Sequence, residues 1–136
     1  MAKIETIEGI GPKHRKALAK AGVSTTQGLL GAGADKKGRK ALAAASGCTE
    51  AQILGWVNRA DLMRVRGVGE EYSDLLEAAG VDTVKELRTR KPTNLHEKML
   101  AVNTAKKNRL VRRPPSLSEV ERWVAHAKEL KPAVTH

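Results

Sequence analysis

Gly9-Ile10-Gly11, followed by Pro12 and Lys13, is the stretch whose residue types and spacing point most directly to chemistry. Two glycines around one apolar residue keep a turn clear of side chains, permit positive φ and let another molecule approach the backbone. Pro12 suits the first turn of a helix, where its missing N–H costs nothing. The free N–H groups and the dipole at such a helix start favour an anion. Lys13 and Lys16 follow at once and would add charge to a phosphate held there. This is binding chemistry, directed at a phosphate backbone rather than at bases.

Other cationic clusters extend the same theme. Lys106, Lys107 and Arg109, with Arg112 and Arg113, make the densest positive stretch. As phosphate contacts they would give salt-sensitive, sequence-neutral affinity; as a connector they would simply be solvated. Lys36, Lys37, Arg39 and Lys40 form a second patch at a helix start, where cations oppose the dipole. An exposed face is the alternative reading of that patch. No aromatic residue interleaves either cluster, so stacking on single-stranded bases has no support.

Catalytic and metal-binding patterns are weaker. Ser46, Ser73, Ser116 and Ser118 lack a nucleophile-elbow context. Glu70, Asp74 and Glu77 fall at i, i+4, i+7, a stripe that is either solvated or, with Glu71, a seat for a basic protein partner. His14, His96 and His126 include no i, i+4 pair, and Cys48 has no CxxC mate, which argues against zinc. A haem or metal held by His14, Cys48, His96 and His126 from distant positions stays open as an alternative. The chain is therefore expected to be non-enzymatic and to need no cofactor.

The elements that position these residues are written twice. Residues 7–30, IEGIGPKHRKALAKAGVSTTQGLL, align with residues 65–88, VRGVGEEYSDLLEAAGVDTVKELR. Gly9, Gly11, Gly22 and Thr25 fall on Gly67, Gly69, Gly80 and Thr83, a shift of 58. Trp56, between Ile53 and Val57, aligns with Trp123, between Val120 and Val124, at a shift of 67, so the second copy has gained about nine residues. These belong in the basic stretch between Lys106 and Pro115. Repetition fixes the architecture ahead of local detail. It divides the chain into a first repeat at 1–60, a second repeat with a basic insertion at 61–131, and a loose tail at 132–136.

The pattern apolar-x-Gly-apolar-Gly, then a helix, then Ala-Gly-Val, resembles the helix-hairpin-helix motif. In that family the Gly-apolar-Gly turn grips one DNA phosphate through backbone N–H groups. The resemblance places Gly9, Ile10, Gly11 and Lys13 at the gripping positions. The copies differ in charge: residues 7–30 carry +3 and residues 65–88 carry −3, with Glu70 and Glu71 where a phosphate would arrive. Like-charge repulsion there offsets the backbone donors, which makes the second copy a structural mate or a protein-facing surface. Over nearly all of its length, including ADLMRVRGVGEEYSDLLEAAGVDTVKEL, NLHEKM and LVRRPPSL, the chain is similar to a bacterial family known as a domain of unknown function. That resemblance implies a compact all-helical, tandem helix-hairpin-helix fold.

The remaining sequence agrees with helices throughout. No segment alternates as a strand would. Capping boxes are expected at Thr49 with Gln52 and at Ser116 with Glu119, and N-caps at Asp35 and Thr93. Gly22 and Gly80 are expected to stop helices, and Arg112-Arg113-Pro114-Pro115 to break the chain before the last one. Helices are expected near 3–8, 12–21, 25–31, 35–46 and 50–60, then 61–66, 70–79, 83–89, 93–104 and 117–130. Aromatic residues are 2% of the chain, so Ala, Leu, Val and Ile must fill the core around Trp56 and Trp123. No apolar run approaches the ~20 residues of a membrane span. With one cysteine and no secretory apolar region, the expected location is cytoplasmic. A net charge of +10, with +6 in residues 1–60, suits a polyanion partner. The expectation is an all-α protein of two pseudo-equivalent repeats that binds nucleic-acid backbone, most naturally duplex DNA, without sequence preference. Gly9, Ile10, Gly11, Lys13, Lys16, Lys106, Lys107, Arg112 and Arg113 would carry that contact. A protein adaptor acting through Glu70, Glu71 and Asp74 is the alternative.

Overall fold

Each glycine turn is preceded by aliphatic residues at a spacing of three. The computed structural model describes residues 3–7, 9–105 and 111–135. The Ile7 N–H donates to the Ile4 carbonyl (3.0 Å) and the Ile10 N–H to the Ile7 carbonyl (3.2 Å). Val65 on Leu62 and Val68 on Val65 repeat this, both at 3.1 Å. All six side chains are buried. A three-residue turn aligns i, i+3 and i+6 on one edge, which an α-helix does not. The helix expected at 3–8 is accordingly a 3₁₀ turn at Ile4–Thr6. The helix expected at 61–66 does not form; the preceding helix runs on to Leu62 and turns follow.

Among the described residues the secondary structure is helical apart from one isolated bridge, between Lys3 and Thr25. The α-helices are α1 (Pro12–Lys20), α2 (Thr26–Gly33), α3 (Lys36–Ser46), α4 (Glu50–Leu62), α5 (Glu70–Ala78), α6 (Val84–Leu87), α7 (Pro92–Ala105) and α8 (Leu117–Glu129). The chain divides into two compact units, Met1–Asp61 with Ala133–His136, and Leu62–Pro132.

Local chemistry explains the boundaries. Thr25, Asp35, Thr83 and Ser116 accept N–H bonds from the residue three positions on, at 2.9, 2.6, 3.2 and 3.2 Å. Thr49 and Gln52 bond reciprocally, as do Ser116 and Glu119. Such caps satisfy donors that have no intrahelical partner. Thr93 is not an N-cap: α7 starts one residue earlier at Pro92, whose fixed φ suits the first position, and the Lys91 carbonyl accepts from the Leu95 N–H. α1 and α5 end alike. Gly22 and Gly80 have φ of +86° and +93°, and the Val23 and Val81 amides reach back to the Leu18 and Leu76 carbonyls, both at 2.9 Å. This is a Schellman closure with its apolar pair buried.

The tail expected to be loose is instead held. The Thr135 N–H donates to the Ala34 carbonyl (2.8 Å), and Val134 is buried. Arg39 is the reason. It is 4% exposed and belongs to no surface patch. Its guanidinium donates to the carbonyls of Gly33 (2.9 Å), Ala34 (3.1 Å) and Thr135 (2.7 Å). A buried cation thus closes the C-terminus of α2, where its charge meets the negative dipole end, and pins the tail. In the second unit, buried Asn103 bonds both the N–H and the carbonyl of Val111, at 3.1 and 3.2 Å. That pair ties α7 to the chain where its description resumes at Val111. The core of this unit joins Leu62, Val65, Val68, Leu75, Leu76, Val81, Leu87, Met99, Val120 and Trp123. In the first unit Ile4, Ile7, Leu18, Val23, Leu29, Ile53, Trp56 and Val57 are the buried counterparts.

Candidate nucleic-acid interface

The two glycine turns have nearly the same backbone. Gly9 has φ +91° and Gly67 has φ +89°. A side chain is disfavoured on both counts, conformation and space. A Cβ on Gly9 would lie 3.3 Å from Trp56 Nε1, and one on Gly67 would lie 3.0 Å from Trp123 Nε1. The indole edge of each tryptophan is thus closed by its own turn. His14 packs against Trp56 with ring centroids 5.0 Å apart and planes tilted by 55°. Tyr72 packs against Trp123 at 5.1 Å and 52°.

Gly11 and Gly69 are different. They are the N-caps of α1 and α5 with extended backbone, φ −85° and −104°. A Cβ on either would meet nothing within 4 Å. Neither conformation nor packing asks for glycine at these two positions. Elsewhere the chain caps α2, α3, α4, α6 and α8 with Thr, Asp or Ser side chains, whereas Gly11 and Gly69 make no side-chain cap. A glycine cap has no side chain to bond the first N–H groups of the helix, which keeps them available to an approaching anion.

The surroundings then separate the two. The first turn of α1 contains no acid, whereas that of α5 contains Glu70 and Glu71. Lys13, Lys16 and Lys20 fall at i, i+3, i+7 and line one open groove of 530 Å³ with Pro12, Ala17, Ala45 and Ser46. Among the described residues no carboxylate lines that groove. Its cations reinforce one another, and its floor is the small-residue seam between α1 and α3. Gly9, Ile10, Gly11, Lys13 and Lys16 therefore occupy one end of α1, with Ile10 buried and Gly9, Gly11 and both lysines exposed. Lys20 was legible as a further member only through its helical spacing.

Other expected residues are placed differently. Lys106 and Lys107 lie outside the described residues. Arg112 is exposed. Arg113 is committed in part: its carbonyl accepts the Tyr72 hydroxyl (3.0 Å) and its guanidinium bonds Glu119 (3.2 Å). Of the acidic trio, Glu70 and Glu71 are exposed, while Asp74 is half-buried and has an interaction of its own. His14 Nδ1 and Cys48 Sγ approach to 3.8 Å. His96 Nε2 donates to the Pro115 carbonyl (3.0 Å), and His126 Nδ1 accepts the Arg66 N–H (3.0 Å). Among the described residues no three His, Cys, Asp or Glu side chains group as a metal site, and no helix is long and apolar enough to cross a membrane. The basic cluster expected on α3 is reduced to Lys36, Lys37 and Lys40, which are exposed.

Compared with known proteins, the chain matches one family model, described as a domain of unknown function (DUF4332), over residues 8–130. No curated protein matches it, and no solved structure does.

Proposed function

We propose that this chain, which belongs to the DUF4332 family, is a non-enzymatic binder of nucleic-acid backbone, duplex DNA above all, that works through its first glycine turn. On this reading the two turns are tandem helix-hairpin-helix repeats. The observation that carries the proposal is Gly11. It is a glycine that the fold does not need, capping a helix whose first turn holds no acid and whose flank holds Lys13, Lys16 and Lys20. A phosphate oxygen seated on the uncapped N–H groups of α1 accounts for all three features. The lysines add electrostatic attraction that releases counterions and is indifferent to sequence. Phosphate contacts of this kind position a protein on the duplex without reading bases. Arg112 would add a salt-sensitive backbone contact of its own.

A fluorescent duplex titrated across a salt series tests this. Gly11→Ala adds a methyl group into open space, so the fold should persist while the anion is crowded out. We expect affinity to fall about tenfold or more in Gly11→Ala and in Lys13→Glu, with a shallower salt slope in the latter. Binding that is indifferent to Gly11→Ala in a protein of unchanged melting temperature would reduce the contact to a generally basic surface and sink the proposal.

A further inference from the structure

Arg66, Arg122 and His126 are separated by as many as 60 residues, yet they line one groove of 430 Å³ in the second unit with Ala125 and Glu129. Arg66 comes from the turn that leads into Gly67; the other two are one helical turn apart on α8. The Arg66 backbone N–H donates to His126 Nδ1 at 3.0 Å. That bond fixes the tautomer: an Nδ1 that accepts leaves the ring proton on Nε2. Nε2–H is then a donor. Arg122 bonds the Ser118 hydroxyl through Nη1 (3.0 Å), so its Nη2 and Nε protons can serve a second partner. Among the described residues, this lining sets two guanidiniums and an imidazole N–H against a single carboxylate, Glu129.

We propose that this groove is a phosphate-binding site of the second unit, with Arg66, Arg122 and His126 Nε2–H as its donors. Arginine is suited to the task, because its planar fork matches the oxygens of a phosphate group two at a time. The site does not depend on the first glycine turn. It gives the second unit a cationic contact whose lining includes neither Glu70 nor Glu71. Glu129 tempers it, so affinity for a free anion should be weak, on the order of millimolar. The same chemistry serves a free phosphate or a phosphodiester in a duplex, and these two sources are separable by experiment.

The test is a titration of the ¹⁵N-labelled full chain with inorganic phosphate at constant ionic strength, followed by amide and histidine ring resonances. Saturable shifts should centre on the Arg66 amide and the His126 ring. They should weaken about tenfold in Arg122→Gln, strengthen in Glu129→Gln, and be unchanged in Gly11→Ala. Arg122→Gln alters one exposed side chain, and an unchanged melting temperature establishes that it folds. Shifts that never saturate, or that survive Arg122→Gln intact, overturn the proposal. A short duplex added to Gly11→Ala then identifies the source: competition with phosphate at the Arg66 amide assigns the site to nucleic-acid backbone, and its absence assigns it to a free phosphate. Because the first turn is disabled in that arm, failure here and failure of the first turn as a phosphate grip give different results.

Discussion

The two glycine turns share a scaffold and oppose each other in charge. Gly9 and Gly67 differ by 2° in φ (+91° and +89°), and their tryptophan-ring contacts differ by 0.1 Å (5.0 and 5.1 Å). The residues just past each turn diverge at once: Pro12-Lys13 in one, Glu70-Glu71 in the other. Both helix starts lack a side-chain cap and have a positive dipole end. In α5 the chain supplies its own anions, each contributing about 0.3–1 kcal/mol there. In α1 it supplies none and flanks the helix start with lysines. The contrast separates two jobs that are easily conflated. Gly9 and Gly67, with their tryptophans, build the turn. Gly11 and Gly69, with the residues after them, decide what the turn can hold.

The shared scaffold predicts the largest effects. Trp56→Ala and Trp123→Ala should each cost about 3–5 kcal/mol in urea unfolding, because each removes a buried indole with no side chain to replace it. A near-neutral result at either site would break the parallel between the turns. Next come Gly9→Ala and Gly67→Ala, at about 1–3 kcal/mol for a non-glycine residue at positive φ. Gly67→Ala should be the worse of the two, since its new methyl would sit 3.0 Å from indole nitrogen rather than 3.3 Å. Gly11→Ala and Gly69→Ala should stay below about 1 kcal/mol, the cost of replacing a tolerated N-cap. If all four glycine variants lost equal stability, the division of labour between turn and cap would be wrong.

The scaffold was written legibly in the sequence, and the reasons are local. Asp35, Thr49, Ser116, Gly22 and Gly80 act within one turn of their own position, so residue type and spacing suffice to place them. Trp56 and Trp123 were likewise legible as core residues from the Ile and Val beside them, and both are buried. The features that escaped were set by partners far along the chain. Arg39 looked like a member of a basic patch because its acceptors, Gly33, Ala34 and Thr135, are carbonyls, and carbonyls leave no trace in a sequence. The same distant bonds hold a tail whose own residues carry no sign of it. The runs at Ile4 and Leu62 were misjudged as helices since a period of three over so few residues is close to 3.6. At the candidate site, Lys13 and Lys16 were evident next to Gly11, whereas the groove of Arg66, Arg122 and His126 required the turn and α8 to meet.

The opposed charges predict effects of intermediate size. Glu70→Lys with Glu71→Lys should cost the second unit about 1 kcal/mol through loss of the favourable dipole contacts. In exchange, the double variant should gain duplex affinity that falls with salt and disappears when Gly69→Ala is added. Duplex binding that does not rise would mean that backbone geometry alone does not make a grip, and that the groove beside Lys16 and Lys20 is indispensable.

The smallest predicted difference lies in the capping boxes that start the two tryptophan helices. In the first unit Thr49 pairs with Gln52, and in the second Ser116 pairs with Glu119. Only the second can titrate. The Ser116 backbone N–H holds the Glu119 carboxyl below the usual glutamate range; partial burial opposes this, and the Arg113 guanidinium assists it. A depressed carboxyl pKa means that the folded state binds the proton less readily than the unfolded one. The stabilisation is therefore fully present above the ordinary glutamate value of about 4.3 and is lost as pH falls from there through the lower folded value. The Glu119 amide, bonded to Ser116 Oγ, should shift across that window, while the Gln52 amide, bonded to Thr49 Oγ1, should not. Glu119→Gln should flatten the response of α8 at a cost of a few tenths of a kcal/mol at neutral pH, about the value of one solvent-screened charge in a box that otherwise survives. Equal acid shifts at Gln52 and Glu119 would show that the units lose structure together, and that the chemistry of either box is immaterial to its helix.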